Sequence, residues 1–202
     1  MIDNSPQLTV RKLEIDIASG FDRHWHGGDA FLSQYYNALS MSFPVGEQSF
    51  IDAVRECAKR LPETEEYASL RATVAQFVGQ EATHRRIHNL YNEHLATQGL
   101  VNHWEHWATK RLDLARKQNI NPKHLLAVTA AFEHCTAVFA DGTLRYASWF
   151  AGADKKMATL WRWHAAEETE HKAVAFDVYQ AIRWQLRVAH PLVPLRFGVI
   201  HV

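Results

Sequence analysis

His164-Ala165-Ala166-Glu167-Glu168-Thr169-Glu170-His171 places His164, Glu168 and His171 four and three residues apart. On an α-helix those steps keep all three side chains on one stripe. A second Glu-x-x-His stands at Glu81-Ala82-Thr83-His84, and the chain has no third. A three-residue step turns about 300° on a helix, so each carboxylate and imidazole project from one face, about a turn apart. Two such pairs on facing helices can bind one metal ion each.

A pair of ions also needs bridging carboxylates. Glu47, in Phe43-Pro44-Val45-Gly46-Glu47-Gln48-Ser49-Phe50, and Glu133, in Ala130-Ala131-Phe132-Glu133-His134-Cys135, sit in otherwise apolar helical surroundings. An ionised glutamate is rarely buried without a partner, because desolvating its charge is expensive. The bland alternative for Glu47 is a surface position at a helix end; for Glu133, inside an apolar run, it is weaker. Glu47 precedes Glu81 by 34 residues and Glu133 precedes Glu168 by 35. Each half therefore reads Glu, a change of helix, then Glu-x-x-His, the pattern of dinuclear carboxylate bundles.

The remaining chain supplies the helices this needs. Asp29 is placed to cap a first helix over about 30 to 60, with Pro44 expected to kink or split it. Pro62 and the acids after it open a second helix ending before Gly99. Residues 102 to 118 form a shorter amphipathic helix. Asn121-Pro122 opens another, to about Phe150, and Asp154 opens a last long one to about Arg187. The fold expected is all-α: a ferritin-like four-helix bundle with a long crossover between helices two and three and a short extra helix. Residues 1–28 form a lead-in arm, in which Val10 to Ile17 alternates like a short strand or extended segment. Residues 29–187 form the bundle and 188–202 an apolar, proline-broken tail.

Composition agrees with one globular domain. The 202 residues are 47% hydrophobic and 22% charged, and the formal net charge is +0, which argues against nucleic acid or an anionic membrane as partner. Nine Gly and six Pro favour long helices. Two cysteines far apart give no disulfide framework. The start lacks a secretory pattern and no apolar run reaches about eighteen residues, so the cytoplasm is the expected location.

The candidate metal ligands are Glu47, Glu81, His84, Glu133, His164, Glu168 and His171. His164 is weighed as a ligand or as a residue behind the ligands. His88, on the stripe of Glu81 and His84, fits the supporting role better. Glu167 competes with Glu168, and Glu170 is expected in solvent. Asp177 could orient a histidine or lie on the surface. Thr136, one turn after Glu133, is the candidate catalytic residue, as a proton donor, against ordinary helix packing. His103 and His106 beside Trp104 and Trp107, like His24 and His26 beside Trp25, read as exposed pairs without a role.

At these residues the chain resembles a bacterial family described as predicted metal-dependent hydrolases. The resemblance rests on Phe43-Pro44-Val45-Gly46-Glu47, on Gln80-Glu81-Ala82-Thr83-His84 and on His164 to Lys172, and covers roughly residues 30 to 185. The His-x-x-x-Glu-x-x-His element is also similar to that of di-iron N-oxygenases acting on aryl amines. That likeness implies a third histidine ligand, His164, and iron as the metal.

Mixed oxygen and imidazole donors suit iron, manganese or zinc. The leading expectation is an O₂-activating di-iron oxidoreductase. Its rivals are a two-metal hydrolase that activates a bridging water and a metal-binding bundle without turnover. The partners expected are a small-molecule substrate, O₂ for an oxygenase, and, from the aromatic content, a second copy in a homodimer.

Overall fold

The computed structural model describes residues 8–189, with side chains as far as Arg183. The Asp29 carboxylate accepts from the Leu32 amide at 2.9 Å and opens α1, Ala30–Ala58. Pro44 lies inside α1 and neither splits it nor ends it. A proline deprives the carbonyl four residues back of its helical donor. Here that carbonyl, of Ser40, accepts instead from Asn92 Nδ2 at 3.0 Å. The expected break is thus repaired by a side chain of the next helix.

A 3-10 turn over Glu65–Tyr67 leads into α2, Ala68–Thr97, so α2 begins later than Pro62 suggested. Then come α3, His103–Lys117, capped by Asn102, and α4, Pro122–Arg145, capped by Asn121. A 3-10 turn over Ala147–Phe150 follows. Asp154 caps α5, Lys155–His171, and α6 runs over Val174–Ala189. The last helix was expected to be continuous; it pauses at Lys172–Ala173, directly after His171, where no glycine or proline marks a break.

Among the described residues the molecule is an all-α helical bundle without strands. α1 packs on α2 and α4, α5 packs mainly on α4, and α6 packs on α4, α1 and α2. The connection from α2 to α4 carries α3, which lies against α1 and buries none of its residues. Segment 10–17 forms no strand, and Leu8 just before it and Ile17 at its end are buried on the bundle. The arm lies close to α2 because position 79 is glycine: a Cβ there would stand 2.6 Å from Val10 Cγ2. The tail expected over 188–202 falls, from residue 190 onward, outside the described residues.

Two apolar clusters make up the core. One gathers Ile51, Val54, Phe77, Leu126, Val174 and Val178, and the other Tyr36, Ile87, Tyr91, Met157, Leu160 and Trp161. On α1 and α2 the candidate ligands fall between these two sets. Glu47 lies between Tyr36 and Ile51 on α1, and Glu81 and His84 lie between Phe77 and Ile87 on α2. The polar layer is therefore sealed above and below by hydrophobic packing. No helix among the described residues is long and apolar enough to cross a membrane, and both cysteines are free.

Candidate metal centre

α1 delivers Glu47, α2 delivers Glu81 and His84, α4 delivers Glu133, and α5 delivers His164, Glu168 and His171. All seven are buried. Glu168 is the hub. Its Oε1 lies 3.0 Å from His164 Nε2, 3.5 Å from His84 Nδ1 and 3.4 Å from His171 Nε2. His171 Nε2 is also 3.3 Å from Glu81 Oε1 and 3.4 Å from Glu133 Oε2. Donor atoms converge to within 4.8 Å of one another in overlapping trios: Glu47–Glu81–His84, Glu81–Glu168–His171, His84–His164–Glu168 and Glu47–His88–His164. The structure thus brings together all seven residues read from the sequence, and adds His88 at the edge.

The chemistry of this cluster is that of an incomplete polar site. Both carboxylate oxygens of Glu47, Glu81 and Glu133, together with His84 Nδ1 and His171 Nε2, are buried without a hydrogen-bond partner. Each such atom costs free energy in a protein interior, and a buried carboxylate costs more than a neutral group. Burial, reinforced by neighbouring carboxylates, pushes Glu47 and Glu133 well above the usual carboxylate range. Burial likewise raises Glu81 to about 7, against the pull of His171. Burial opposes ionisation of Glu168 too, yet His171, His164 and His84 together hold it well below the usual range. Burial would lower His84, but Glu167 and Glu168 raise it to about 10. His164 falls to about 4 through burial and the charge of His84. Without cations, burial favours the protonated forms of Glu47, Glu81 and Glu133, while Glu168 is held ionised by its histidines. Cations would replace those protons and satisfy the unpartnered atoms, and oxygen with imidazole is a donor set for borderline divalent metals. The residues present fit a pair of metal ions.

Each inner histidine is held from behind through its other nitrogen. His84 Nε2 meets Glu167 Oε2 at 2.9 Å, His171 Nδ1 meets Gln80 Oε1 at 3.0 Å, and His164 Nδ1 meets His88 Nε2 at 2.7 Å. His88 in turn meets Ser40 Oγ at 2.9 Å, and Ser40 Oγ donates to Asn92 Oδ1, so the network that repairs α1 at Pro44 also steadies His164. Such outer bonds fix ring orientation and tautomer. The bracing is crosswise: Gln80, just before Glu81, holds the histidine of the other motif, and Glu167, just before Glu168, holds His84. Glu167 faces outward from the cluster, where its Oε1 accepts from the Arg11 amide at 3.1 Å.

Glu170 differs from expectation. It receives both guanidinium branches of Arg11, at 2.8 and 2.6 Å, and Gln80 Nε2 at 3.1 Å. Gln80 Nε2 also donates to the Thr9 carbonyl at 3.0 Å. Arg11 and Gln80 are thus supporting residues that the sequence reading did not assign. The one legible signal was the shared register, an amide or acid immediately before each Glu-x-x-His. Asp177 is exposed and Thr136 Oγ1 donates to the Glu133 carbonyl at 3.0 Å. His26 is buried against Tyr36 and Phe150 rather than exposed, well away from the acids.

Two cavities reach the cluster. One, of about 230 Å³, lies among α1, α4 and α5 and ends on His164 and Glu168. The other, of about 300 Å³, lies among α1, α3 and α4 and ends on Glu47. Phe43 and Thr136 line both.

A family model described as predicted metal-dependent hydrolase matches residues 9–197, which takes in the arm, the whole polar layer and α6. No curated protein and no solved structure shows a significant match.

Proposed function

The chain belongs to the predicted metal-dependent hydrolase family, and on that footing we propose that its polar layer is a dinuclear metal centre of ferritin-like type, serving an O₂-activating di-iron oxidoreductase. Glu47, Glu81, Glu133 and Glu168 would hold and bridge the ions, and His84, His171 and His164 would complete them. The observation that carries this reading is the convergence of four buried carboxylates, three of them without any hydrogen-bond partner. Iron is the leading metal, with manganese or zinc as alternatives. Bound there, an iron pair would supply the electrons that reduce O₂, and shifting carboxylates would accommodate the change of oxidation state.

The chain's own residues do the remaining work. Glu167 and Gln80 aim His84 and His171 inward, and His88 does the same for His164. Phe43 and Trp161 lie against His164, with Phe43 at 4.8 Å between ring centroids, and give the cavity that ends there an apolar wall. Thr136 Oγ1 is the candidate proton donor from α4, and to act it would have to leave the Glu133 carbonyl to which it donates at 3.0 Å. The substrate proposed is a small molecule, with O₂ as co-substrate and no nucleic acid.

The family description favours a second reading, a two-metal hydrolase in which the pair acidifies a water molecule. A third is a metal-binding bundle without turnover. Anaerobic loading with Fe(II) followed by air separates them. Optical change with O₂ uptake supports the oxidoreductase. Hydrolysis of 4-nitrophenyl acetate or phosphate by the Zn- or Mn-loaded chain, indifferent to O₂, supports the hydrolase. Stable loading with neither supports the third.

A further inference from the structure

The cavity that ends on Glu47 is walled by Phe43, Val45, Phe50, Leu125, Val128 and Phe132, and α3 closes its outer side with Trp104 and Trp107. Four hydroxyl residues also line it, yet each spends its hydrogen inside its own helix. Ser42 Oγ donates to the Leu39 carbonyl at 2.7 Å and Ser49 Oγ to that of Gly46 at 2.6 Å. Thr129 Oγ1 donates to the Leu125 carbonyl at 3.0 Å, and Thr136 Oγ1 to that of Glu133 at 3.0 Å. The hydroxyls therefore face the cavity without a free donor. The one cationic side chain on the lining, Arg111, is exposed, with its guanidinium over the Trp107 ring at 4.6 Å. At the floor, both oxygens of the buried Glu47 carboxylate lack a partner.

A phosphate or carboxylate group is recognised through donors that meet its oxygens, and inside this wall, away from Arg111 at the exposed rim, an anion would lose water without replacement. An apolar molecule loses nothing there, and about 300 Å³ is at the small end of ligand-sized sites. We propose that this cavity binds an uncharged, apolar organic molecule and presents it to the Glu47 side of the centre. This substrate class rests on the metal-centre reading above for its chemistry, while the pocket itself is a feature of the protein alone. α3 suits the role of wall: it buries no residue of its own, and Asn102 at its start is tied to the Met41 carbonyl at 2.9 Å.

Two probes with one ring skeleton test this on the full chain: uncharged N-phenyl-1-naphthylamine and its sulfonated counterpart 8-anilino-1-naphthalenesulfonate. Ala108 lines the cavity on α3, and its neighbour Thr109 is exposed outside it. The uncharged probe is expected to bind at a single saturable site, with the sulfonate weaker by about ten-fold or more. Ala108→Trp should weaken the uncharged probe by about ten-fold or more, while Thr109→Trp leaves it unchanged. Melting curves and metal stoichiometry on both variants confirm that each is folded. Equal binding of the two probes, or indifference to Ala108→Trp, overturns the proposal. So does a chain that sediments as a dimer and becomes monomeric in Ala108→Trp, which would assign the face to a second copy. A wild type that takes up two metal ions but fails the probe test loses only the pocket assignment. One that passes the probe test but takes up no metal loses only the metal reading.

Discussion

The Glu81–His84 half and the Glu168–His171 half offer the same ligand types at the same spacing, but what stands behind them differs. His84 is held by a carboxylate, Glu167, and His171 by a neutral amide, Gln80. An anionic partner makes an imidazole a stronger base and a stronger donor, consistent with the rise of His84 to about 10. The second half also carries an extra histidine in contact with its glutamate, His164, whereas the extra histidine of the first half, His88, is bonded to His164 and Ser40. Repetition in the candidate ligands thus coexists with asymmetry in their support, and the two metal positions of the proposed centre should not be equivalent.

The harshest way to break the comparison is to remove a carboxylate on which both halves depend. Glu133→Leu should abolish loading of the metal pair, read by metal analysis of the purified variant. The cation-free fold should be no less stable, because a buried carboxyl without a partner is lost at similar volume. Full loading of the variant would remove Glu133 from the centre.

Removing the two braces separately sharpens the asymmetry. Glu167→Ala and Gln80→Ala should each weaken metal affinity by about 10- to 100-fold, with the larger loss for Glu167→Ala. Equal losses in equilibrium titrations would mean that the charge of Glu167 is immaterial. His164→Ala should weaken one ion more than the other, and equal retention of both would make it a supporting residue.

A smaller effect concerns pH. In the cation-free chain Glu47, Glu81, Glu133 and His84 all bind their protons more tightly folded than unfolded. The folded state then holds more protons than the unfolded one, so stability falls as pH rises between about pH 6.5 and pH 9. His164 and His88, lowered by burial, act with the opposite sign but below that window. The cation-free Tm should therefore drop across this range, and the loaded protein's should drop less. Parallel curves would mean that the ions do not replace these protons. Smallest of all, Asp29→Ala should cost about 1 kcal/mol through the lost α1 cap and leave metal affinity unchanged, since Asp29 lies on the exposed end of α1.

Much of this was legible in the sequence because helical ligand spacing is local. Steps of three and four residues fix a face of one helix, and the near-equal intervals from Glu47 to Glu81 and Glu133 to Glu168 pair the helices. Caps at Asp29, Asn121 and Asp154 were equally local. What escaped depends on partners distant in the chain. Pro44 reads as a break until Asn92, 48 residues later, is seen to take up the Ser40 carbonyl. Glu170 reads as a solvated acid until Arg11, 159 residues earlier, is found on it. The pause after His171 has no sequence mark at all. The arm looked like a lead-in because two of its bonds to the bundle, at the Thr9 carbonyl and the Arg11 amide, use backbone atoms, which carry no residue-type signal.

The most direct test is equilibrium dialysis of the purified, chelator-stripped chain against Fe(II) under anaerobic conditions, with bound metal counted per chain. Two ions per chain, of unequal affinity, are expected. Uptake of none, or of only a single ion at saturation, would contradict the claim that these buried acids and imidazoles exist to hold a metal pair.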